Sequence, residues 1–482
     1  MTLTRRGFLA WLNGLLAALL QLPAAVGAEL SKIRGQIIGR DDPDYELWRK
    51  SMVWYLHKPA RHPDKIVRAE SRDDVIAAVN HARENGLKIA TRATGHNPAR
   101  GCLREGGLLL DTSQMREVDI DADAGTAWVE PGIRSAEFIE LTDPLGLAFP
   151  AAHTDIVGLG GYLIGGGLGW NMPVWDIACR SIIAADVVLA DGRVVRATTD
   201  ENADLLWAVR GAGPGFFGAV VRYQLRLFPT PKAIVKSKYL VPVERLPEAL
   251  EELDGLTATR ERQLELLAVV GRFGASGKTP AERDLVCAVS AIAFGDSESH
   301  AMKLLEPVRQ SPVPAMSVAK REEVPMSWAQ LYGGNETDFT SPFRTAIHNI
   351  WTNDLVGAMT TLGARWQETP PRSPRSFFLS AWGVNPSQDD ADSSFTYTGD
   401  HYLSWYLMGD EDDQVEPNHA WMDEAVEMLA PYTRGHYPNE INPGRYPDAL
   451  RACFSPEKWE RLGALRAQYD PDAVFHSWLG FS

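Results

Sequence analysis

Residues 91–97 read Thr91-Arg-Ala-Thr-Gly-His-Asn97, and this short stretch says more about the fold than any other in the chain. The preceding segment, Asn85-Gly-Leu-Lys-Ile-Ala-Thr91, is typical of a turn that leads into a short strand, so Gly95 and His96 should lie just past a strand end. A glycine there lets the backbone approach a ligand closely, with N–H groups that can meet phosphate oxygens. The adjacent imidazole can then contact a cofactor, although a single histidine is more commonly a surface or core residue.

Two more glycine-rich segments follow along the chain. Pro150-Ala-Ala-His-Thr-Asp-Ile-Val-Gly-Leu-Gly-Gly161 runs into Gly165-Gly-Gly-Leu-Gly-Trp170, and Gly213-Pro-Gly-Phe-Phe-Gly-Ala-Val-Val221 comes later. A Rossmann loop needs Gly-x-Gly-x-x-Gly between a strand and a helix, and Trp170-Asn-Met-Pro173 stands where that helix should begin. A phosphate loop of the Gly-x-x-x-x-Gly-Lys-Ser/Thr type does not occur, which excludes a P-loop nucleotidase.

In order and spacing, these segments resemble the covalent flavoproteins of the vanillyl-alcohol oxidase superfamily, in particular the berberine-bridge-enzyme-like oxidases. In that family an Arg-x-Gly-Gly-His loop carries the histidine bonded to the 8α-methyl group of FAD. Arg92-Ala-Thr-Gly-His96 matches it with one departure, Thr94 in place of glycine, and a threonine hydroxyl can still donate to phosphate. The resemblance covers residues 55–230 and 431–482 and hardly extends to residues 231–430.

The resemblance implies FAD that is attached covalently through His96 alone. Members with a second tether carry a cysteine where this chain has Thr154, whose hydroxyl cannot form the thioether. Val157 falls at the family's proposed oxygen gate, where valine goes with oxidases and leucine with dehydrogenases. The residues that we assign to cofactor binding on this basis are Arg92, Thr94, Gly95, His96, Asn97, Pro150, Thr154, Val157, Gly158, Gly161, Gly165, Gly167 and Val220.

The resemblance also implies catalytic residues near the C-terminus. The family has a Tyr-x-Asn motif whose tyrosine faces the flavin and acts on the substrate hydroxyl, and Tyr437-Pro-Asn439 fits it. A phenol with a pKa of about 10 is a poor base unless a nearby charge lowers that value. In the aromatic-rich middle of the chain, Tyr402 and Trp405 are the candidates for the wall of the substrate pocket.

The implied activity is transfer of a hydride from an alcohol carbon of a small molecule to FAD, with O2 reduced to hydrogen peroxide. The substrate class stays open between a phenolic or benzylic alcohol and a carbohydrate. One alternative is a periplasmic FAD dehydrogenase that passes electrons to a cytochrome or quinone. The other is an exported binding protein without enzymatic activity, which would have a pocket and no flavin.

Alternating short strands and helices predict an α+β fold. Ser71 should cap a helix that ends at Gly86, and Phe228-Pro-Thr-Pro231 is a natural boundary. We expect a two-subdomain FAD-binding domain (residues 29–230), a substrate domain with an antiparallel sheet covered by helices (231–430), and a C-terminal segment that completes the FAD-binding domain (431–482).

The N-terminus is typical of a twin-arginine signal peptide over residues 1–28, which predicts a periplasmic or secreted protein that meets the twin-arginine translocon during export. A net charge of −15 argues against nucleic acid and against stable association with an anionic membrane. Four scattered cysteines favour neither a metal site nor a disulfide scaffold, and the sequence leaves room for one disulfide. No metal-ligand spacing occurs.

Overall fold

The computed structural model describes residues 29–273, 278–333, 343–385, 391–409 and 411–477. The predicted signal peptide lies outside these residues. The first sheet has the order β1-β2-β4-β3, in which β2, β4 and β3 are parallel and β1 is antiparallel to β2. Its strands are β1 (Gln36–Gly39), β2 (Lys65–Arg68), β3 (Ile89–Arg92) and β4 (Leu108–Asp111), with helices α1 (Tyr45–Ser51) and α2 (Arg72–Glu84).

Helix α2 begins where the sequence predicts. The side chain of Ser71 accepts a hydrogen bond from the backbone N–H of Asp74, and acidic residues follow in the first turn. Val75 and Val79 on its inner face are fully buried against the first sheet.

A second, antiparallel sheet has the order β5-β6-β10-β8-β9. Its strands are β5 (Val118–Asp121), β6 (Thr126–Val129), β8 (Ile182–Val188), β9 (Val194–Ala197) and β10 (Ala219–Arg226), and a short pair is formed by β7 (Leu147–Ala148) and β11 (Phe228–Pro229). The helices of this part are α3 (Ser135–Thr142), α4 (Leu159–Ile164), α5 (Met172–Trp175) and α6 (Ala203–Val209).

The third sheet is antiparallel throughout and has the order β15-β12-β14-β13-β17-β18-β16. Its strands are β12 (Ala233–Pro242), β13 (Leu264–Phe273), β14 (Asp284–Gly295), β15 (Ala319–Met326), β16 (Ala346–Thr352), β17 (Phe377–Ala381) and β18 (His401–Leu407). Successive side chains of each strand point to opposite faces of this sheet.

Helices cover one face of the third sheet and leave the other for a cavity. The helices of this region are α7 (Leu246–Thr259), α8 (Glu298–Gln310), α9 (Val313–Met316), α10 (Trp328–Gly333), α11 (Leu355–Glu368) and α12 (Val415–Leu429). The covered face contributes Val235, Leu266 and Leu403 to an apolar core shared with Leu250 and Met359 of the helices. The predicted α+β fold, with its antiparallel sheet covered by helices, is confirmed.

The C-terminal segment returns to the first sheet after α13 (Pro447–Arg451) and α14 (Pro456–Tyr469). The backbone of Ile89 in β3 donates to the carbonyl of Val474 and accepts from the N–H of His476, both at 2.7 Å. The last described residues therefore extend the sheet that presents the His96 loop. No helix in the described ranges is long and apolar enough to span a membrane.

Candidate active site

A cavity of about 450 Å³ lies between the glycine-rich loops, the open face of the third sheet and the C-terminal segment. Both the loops at the strand ends and the third sheet contribute polar side chains to its lining, and the sheet adds apolar ones such as Leu267 and Val269. All three parts of the chain that the sequence singles out reach this cavity.

The His96 loop enters it directly after β3. Gly95 has a φ of +73°, and a Cβ there would lie 2.2 Å from the carbonyl oxygen of Met52, so only glycine fits. The His96 ring stacks on Trp54 with 4.6 Å between ring centroids. Its Nε2 is shielded from solvent and has no hydrogen-bond partner among the described residues. Burial lowers the pKa of His96 to about 4, so the ring is neutral at neutral pH.

Three predicted cofactor residues of this loop line the cavity and also have structural partners. Arg92 donates to the Met52 carbonyl at 2.7 Å and to the buried carboxylate of Asp111. Thr94 joins the two loops, because its hydroxyl accepts the N–H of Gly158 at 2.9 Å. The Asn97 side chain donates to the Asn439 carbonyl at 3.3 Å. These contacts shape the loop.

The second loop contributes in two ways. Thr154, Val157, Gly158 and Gly161 line the cavity, and Gly161 has no atom within 4 Å of a Cβ built on it, which leaves room for close approach of a ligand. Val220 of β10 lines the cavity as well. The structure places three predicted residues behind the wall instead of in it, namely Pro150, Gly165 and Gly167.

Tyr437 is held by the second loop. Its phenol oxygen accepts the N–H groups of Gly167 at 3.0 Å and Leu168 at 3.4 Å, and the side-chain amide of Asn439 at 3.0 Å. The buried side chain of Asn349 in β16 fixes the motif from behind, since it accepts the Tyr437 N–H at 2.7 Å and donates to the Tyr437 carbonyl at 3.0 Å. Burial raises the pKa of Tyr437 well above its usual value, although the three donors act in the opposite direction.

Glu440, to which the sequence analysis assigned no role, lies close to this tyrosine in the cavity wall. Its Oε2 accepts the hydroxyl groups of Tyr402 at 2.5 Å and Tyr406 at 2.9 Å. Burial raises the pKa of Glu440 above its usual range, while the two phenol donors lower it. A weak signal was available, because Tyr402 and Tyr406 are four residues apart on one strand and such residues share a face.

Trp405 corrects the prediction that it lines the substrate pocket. It is fully buried in the core between the third sheet and its helices, on the face opposite the cavity. Residues three apart on a strand point to opposite faces, so Tyr402 and Trp405 cannot both line the site.

All four cysteines are free, so none is paired in a disulfide. Cys102 lines the cavity near His96, but burial raises the pKa of its thiol. No group of side chains suited to a metal ion occurs in the described ranges.

FAD fits the residues present. The shielded and unpartnered imidazole nitrogen of His96, the open surface at Gly161 and the backbone of two glycine-rich loops together form a cradle for a dinucleotide-sized group. His96 would hold its reactive ring system, and the loops would hold its phosphates.

Comparisons with known proteins agree with this geometry. Residues 63–198 match a family model described as an FAD binding domain. Over 462 residues the chain is 27% identical to the FAD-linked oxidoreductase janO of Penicillium janthinellum, which covers 91% of this chain and 96% of that protein. It is 33% identical over 206 residues to (R)-6-hydroxynicotine oxidase of Paenarthrobacter nicotinovorans, which covers 42% of this chain and 43% of that enzyme. The solved structure of Physcomitrella patens BBE-like 1 has a similar fold, with a TM-score of 0.80 at 18% identity, covering 94% of this chain and 98% of that one.

The chain is therefore an FAD-dependent oxidoreductase. Its fold is that of the berberine-bridge-enzyme-like oxidases, and the resemblance predicted from the glycine-rich loops is confirmed. The comparisons favour this class over the alternative of a binding protein without a flavin.

Proposed function

We propose that this chain is a flavoprotein oxidase that removes a hydride from an alcohol carbon of a small molecule and reduces O2 to hydrogen peroxide. The observation that carries the proposal is the meeting of Tyr437 and Glu440 at one wall of the cavity that the His96 loop also lines. A hydrogen-bond donor and a carboxylate at the same wall are what oxidation of a hydroxyl group requires. When bound there, FAD supplies the hydride acceptor.

Tyr437 orients the substrate oxygen in this proposal. Three N–H groups already occupy its phenol oxygen as donors, so its own proton is available to a substrate in the cavity. A phenol whose pKa is raised by burial stays protonated and is a poor base. This revises the prediction that Tyr437 accepts the proton.

Glu440 takes the proton of the substrate hydroxyl. Hydrogen bonds from Tyr402 and Tyr406 fix one carboxylate oxygen, and a carboxylate with a raised pKa is a stronger base than an exposed one. Tyr402 and Tyr406 are positioning residues that act through Glu440.

The covalent attachment through His96 is part of the proposal. A neutral ring with an unpartnered, shielded nitrogen suits a bond to the cofactor. Thr154 lines the same cavity and cannot form a thioether, and Cys102 is held as a thiol by burial, which makes it a poor nucleophile. These observations support one tether.

The experiment that tests this function is anaerobic reduction of the holoenzyme with panels of benzylic alcohols and oligosaccharides. We expect at least one compound to bleach the flavin absorbance, and admission of air should restore it with formation of one hydrogen peroxide per substrate. Val157→Leu should slow the step with O2, whereas Val384→Leu, a matched change in the same cavity, should not. Bleaching followed by slow recovery in air and fast recovery with a cytochrome would favour the dehydrogenase, and an absence of bleaching by every alcohol would refute alcohol oxidation.

We also propose that the protein is exported through the twin-arginine route, on the sequence of residues 1–28. The double change Arg5→Lys and Arg6→Lys should retain the protein in the cytoplasm, as measured by cell fractionation and immunoblotting. Arg34→Lys, beyond the expected cleavage site, is the matched control and should be exported normally. Equal export of the two variants would contradict the proposal.

A further inference from the structure

Two lysines of β12 face the cavity. Along this strand Val235 and Tyr239 belong to the core under the helices, while Lys236 and Lys238 alternate with them and line the cavity on the opposite face. The alternation is visible in the sequence, but only the structure shows which residues point to the cavity. The cavity therefore has a cationic wall in addition to its catalytic one.

Lys236 makes no hydrogen bond or ion pair with any residue that the structure describes, and Glu265 attracts it only through space. Burial and the neighbouring Lys238 lower its pKa to about 8. The Lys238 ammonium lies 5.0 Å from the centre of the Phe273 ring. A partly desolvated ammonium group without a direct ion-pair partner is stabilised by a ligand that brings a negative charge into contact with it.

Glu265 of β13 is a negative charge near Lys236, but the two form no ion pair. It also lines the cavity, but one of its oxygens accepts the N–H of Asn171 at 2.7 Å and the other lies 3.7 Å from Nε2 of His153. No oxygen of Glu265 lies within ion-pair distance of Lys236 in the described part of the chain. One Glu265 oxygen is thus held by the backbone of Asn171, and the ammonium group of Lys236 is left without a direct contact to a carboxylate.

The register of the third sheet places the lysines far from Glu440. A single row of paired residues crosses the cavity face, running Lys238, Ser290, Leu267, Ala381 and Tyr402. Four strand spacings separate its ends, which is about 19 Å along the sheet. Because a lysine side chain is long, its ammonium group lies closer to the tyrosine end than the backbone does. The two ends of the cavity can therefore bind the two ends of one elongated molecule.

The middle of that row is apolar. Leu267 and Ala381, with Val269 and Leu379 of the next row, form the floor between the lysines and the tyrosines. The cavity thus changes from a proton-accepting end, through an apolar centre, to a cationic end.

We propose that Lys236 and Lys238 bind a carboxylate of the substrate, so that the enzyme oxidises an alcohol whose acidic group lies at the end remote from the reacting carbon. This inference rests on the proposed function, because the reacting end is defined by Tyr437 and Glu440. An aromatic acid and a sugar acid share this chemistry.

Two matched pairs of probes test it with the holoenzyme. The aromatic pair is 4-(hydroxymethyl)cinnamate and its primary amide, and the sugar pair is cellobiouronic acid and its uronamide. Binding is measured by calorimetric titration in the absence of O2, and oxidation is followed separately by flavin bleaching. In at least one pair we expect the acid to bind about ten to a hundred times more tightly than the amide.

Variants assign that preference to the lysines. Lys236→Met should abolish the preference for the acid, and Lys236→Arg should keep most of it. Lys320→Met is the matched control, because Lys320 pairs with Tyr239 and projects from the opposite face of the sheet. It should leave the preference unchanged.

The outcomes distinguish the lysine site from the proposed alcohol oxidation. Equal binding of acid and amide in both pairs, no binding of either acid, or a preference that survives in Lys236→Met would overturn the lysine site. Tight lysine-dependent binding of an acid without flavin bleaching would support the site and refute alcohol oxidation. The pair that shows the preference distinguishes an aromatic from a sugar substrate.

Discussion

His96→Ala is expected to release all of its flavin, and with it the yellow colour, when the protein is precipitated with acid. In the wild-type holoenzyme, acid precipitation should leave the flavin in the protein pellet, since a covalent bond survives denaturation. Without the imidazole the cradle formed by the glycine-rich loops remains, so the variant should still bind flavin that passes to the supernatant in acid. The measurement is the flavin absorbance of pellet and supernatant.

Two other histidines make this test specific. His153 and His476 also line the cavity, and their alanine variants should keep the colour in the pellet. If the pellet lost its flavin in the His153→Ala or the His476→Ala variant and kept it in His96→Ala, the covalent bond would be assigned to that other histidine. Colour in the supernatant for the wild-type protein would show that the flavin is bound without any covalent bond.

Local signals in the sequence predicted the parts of the structure that depend on neighbouring residues. The serine cap of α2 and the turn before the His96 loop are decided within a few positions of the chain. The glycine-rich loops were identified because their spacing is itself the motif. The α+β class follows from the same short elements.

The substrate end depends on contacts that the sequence does not encode locally. The order of the third sheet joins β12 to β14 and β13 to β17, and only this register sets Tyr402 in the row of Lys238. The role of Glu440 arises from hydrogen bonds to tyrosines 34 and 38 residues away. Trp405 was assigned to the wrong face because an aromatic-rich segment was read without its strand period.

The structure explains why threonine is tolerated at position 94, where the family motif has glycine. Where the family has glycine, the threonine hydroxyl binds the backbone of Gly158, and a Cβ on Gly158 would lie 2.5 Å from the Thr94 methyl group. The hydroxyl is expected to donate to phosphate, and its oxygen in addition joins the two loops. The substitution is compatible with the fold because position 158 is glycine.

Glu440→Gln should lower kcat by about 10²- to 10⁴-fold, the usual range for loss of a positioned general base. The amide has nearly the same shape and can still accept from Tyr402 and Tyr406, so substrate binding should change little. The measurement is the rate of flavin bleaching at saturating substrate in a stopped-flow instrument without O2. This isolates the oxidation of substrate from the reaction with O2.

The pH dependence gives a second, independent readout. A base works in its deprotonated form, so the wild-type rate should fall as the pH drops through the pKa of Glu440. Burial raises that pKa, and the fall should therefore begin at a higher pH than for an exposed glutamate. Because glutamine does not titrate, the fall should be absent from Glu440→Gln.

Glu265→Gln is the matched control for this change. It makes the same chemical substitution at a second carboxylate of the cavity, one engaged by the N–H of Asn171, and should retain most of the bleaching rate together with the acidic fall. If Glu265→Gln lost the fall and Glu440→Gln kept it, the base would be Glu265. If Tyr437→Phe alone abolished both rate and fall, the phenol would be the proton acceptor after all, and the high pKa that its burial implies would have to be offset by the three N–H donors on its oxygen.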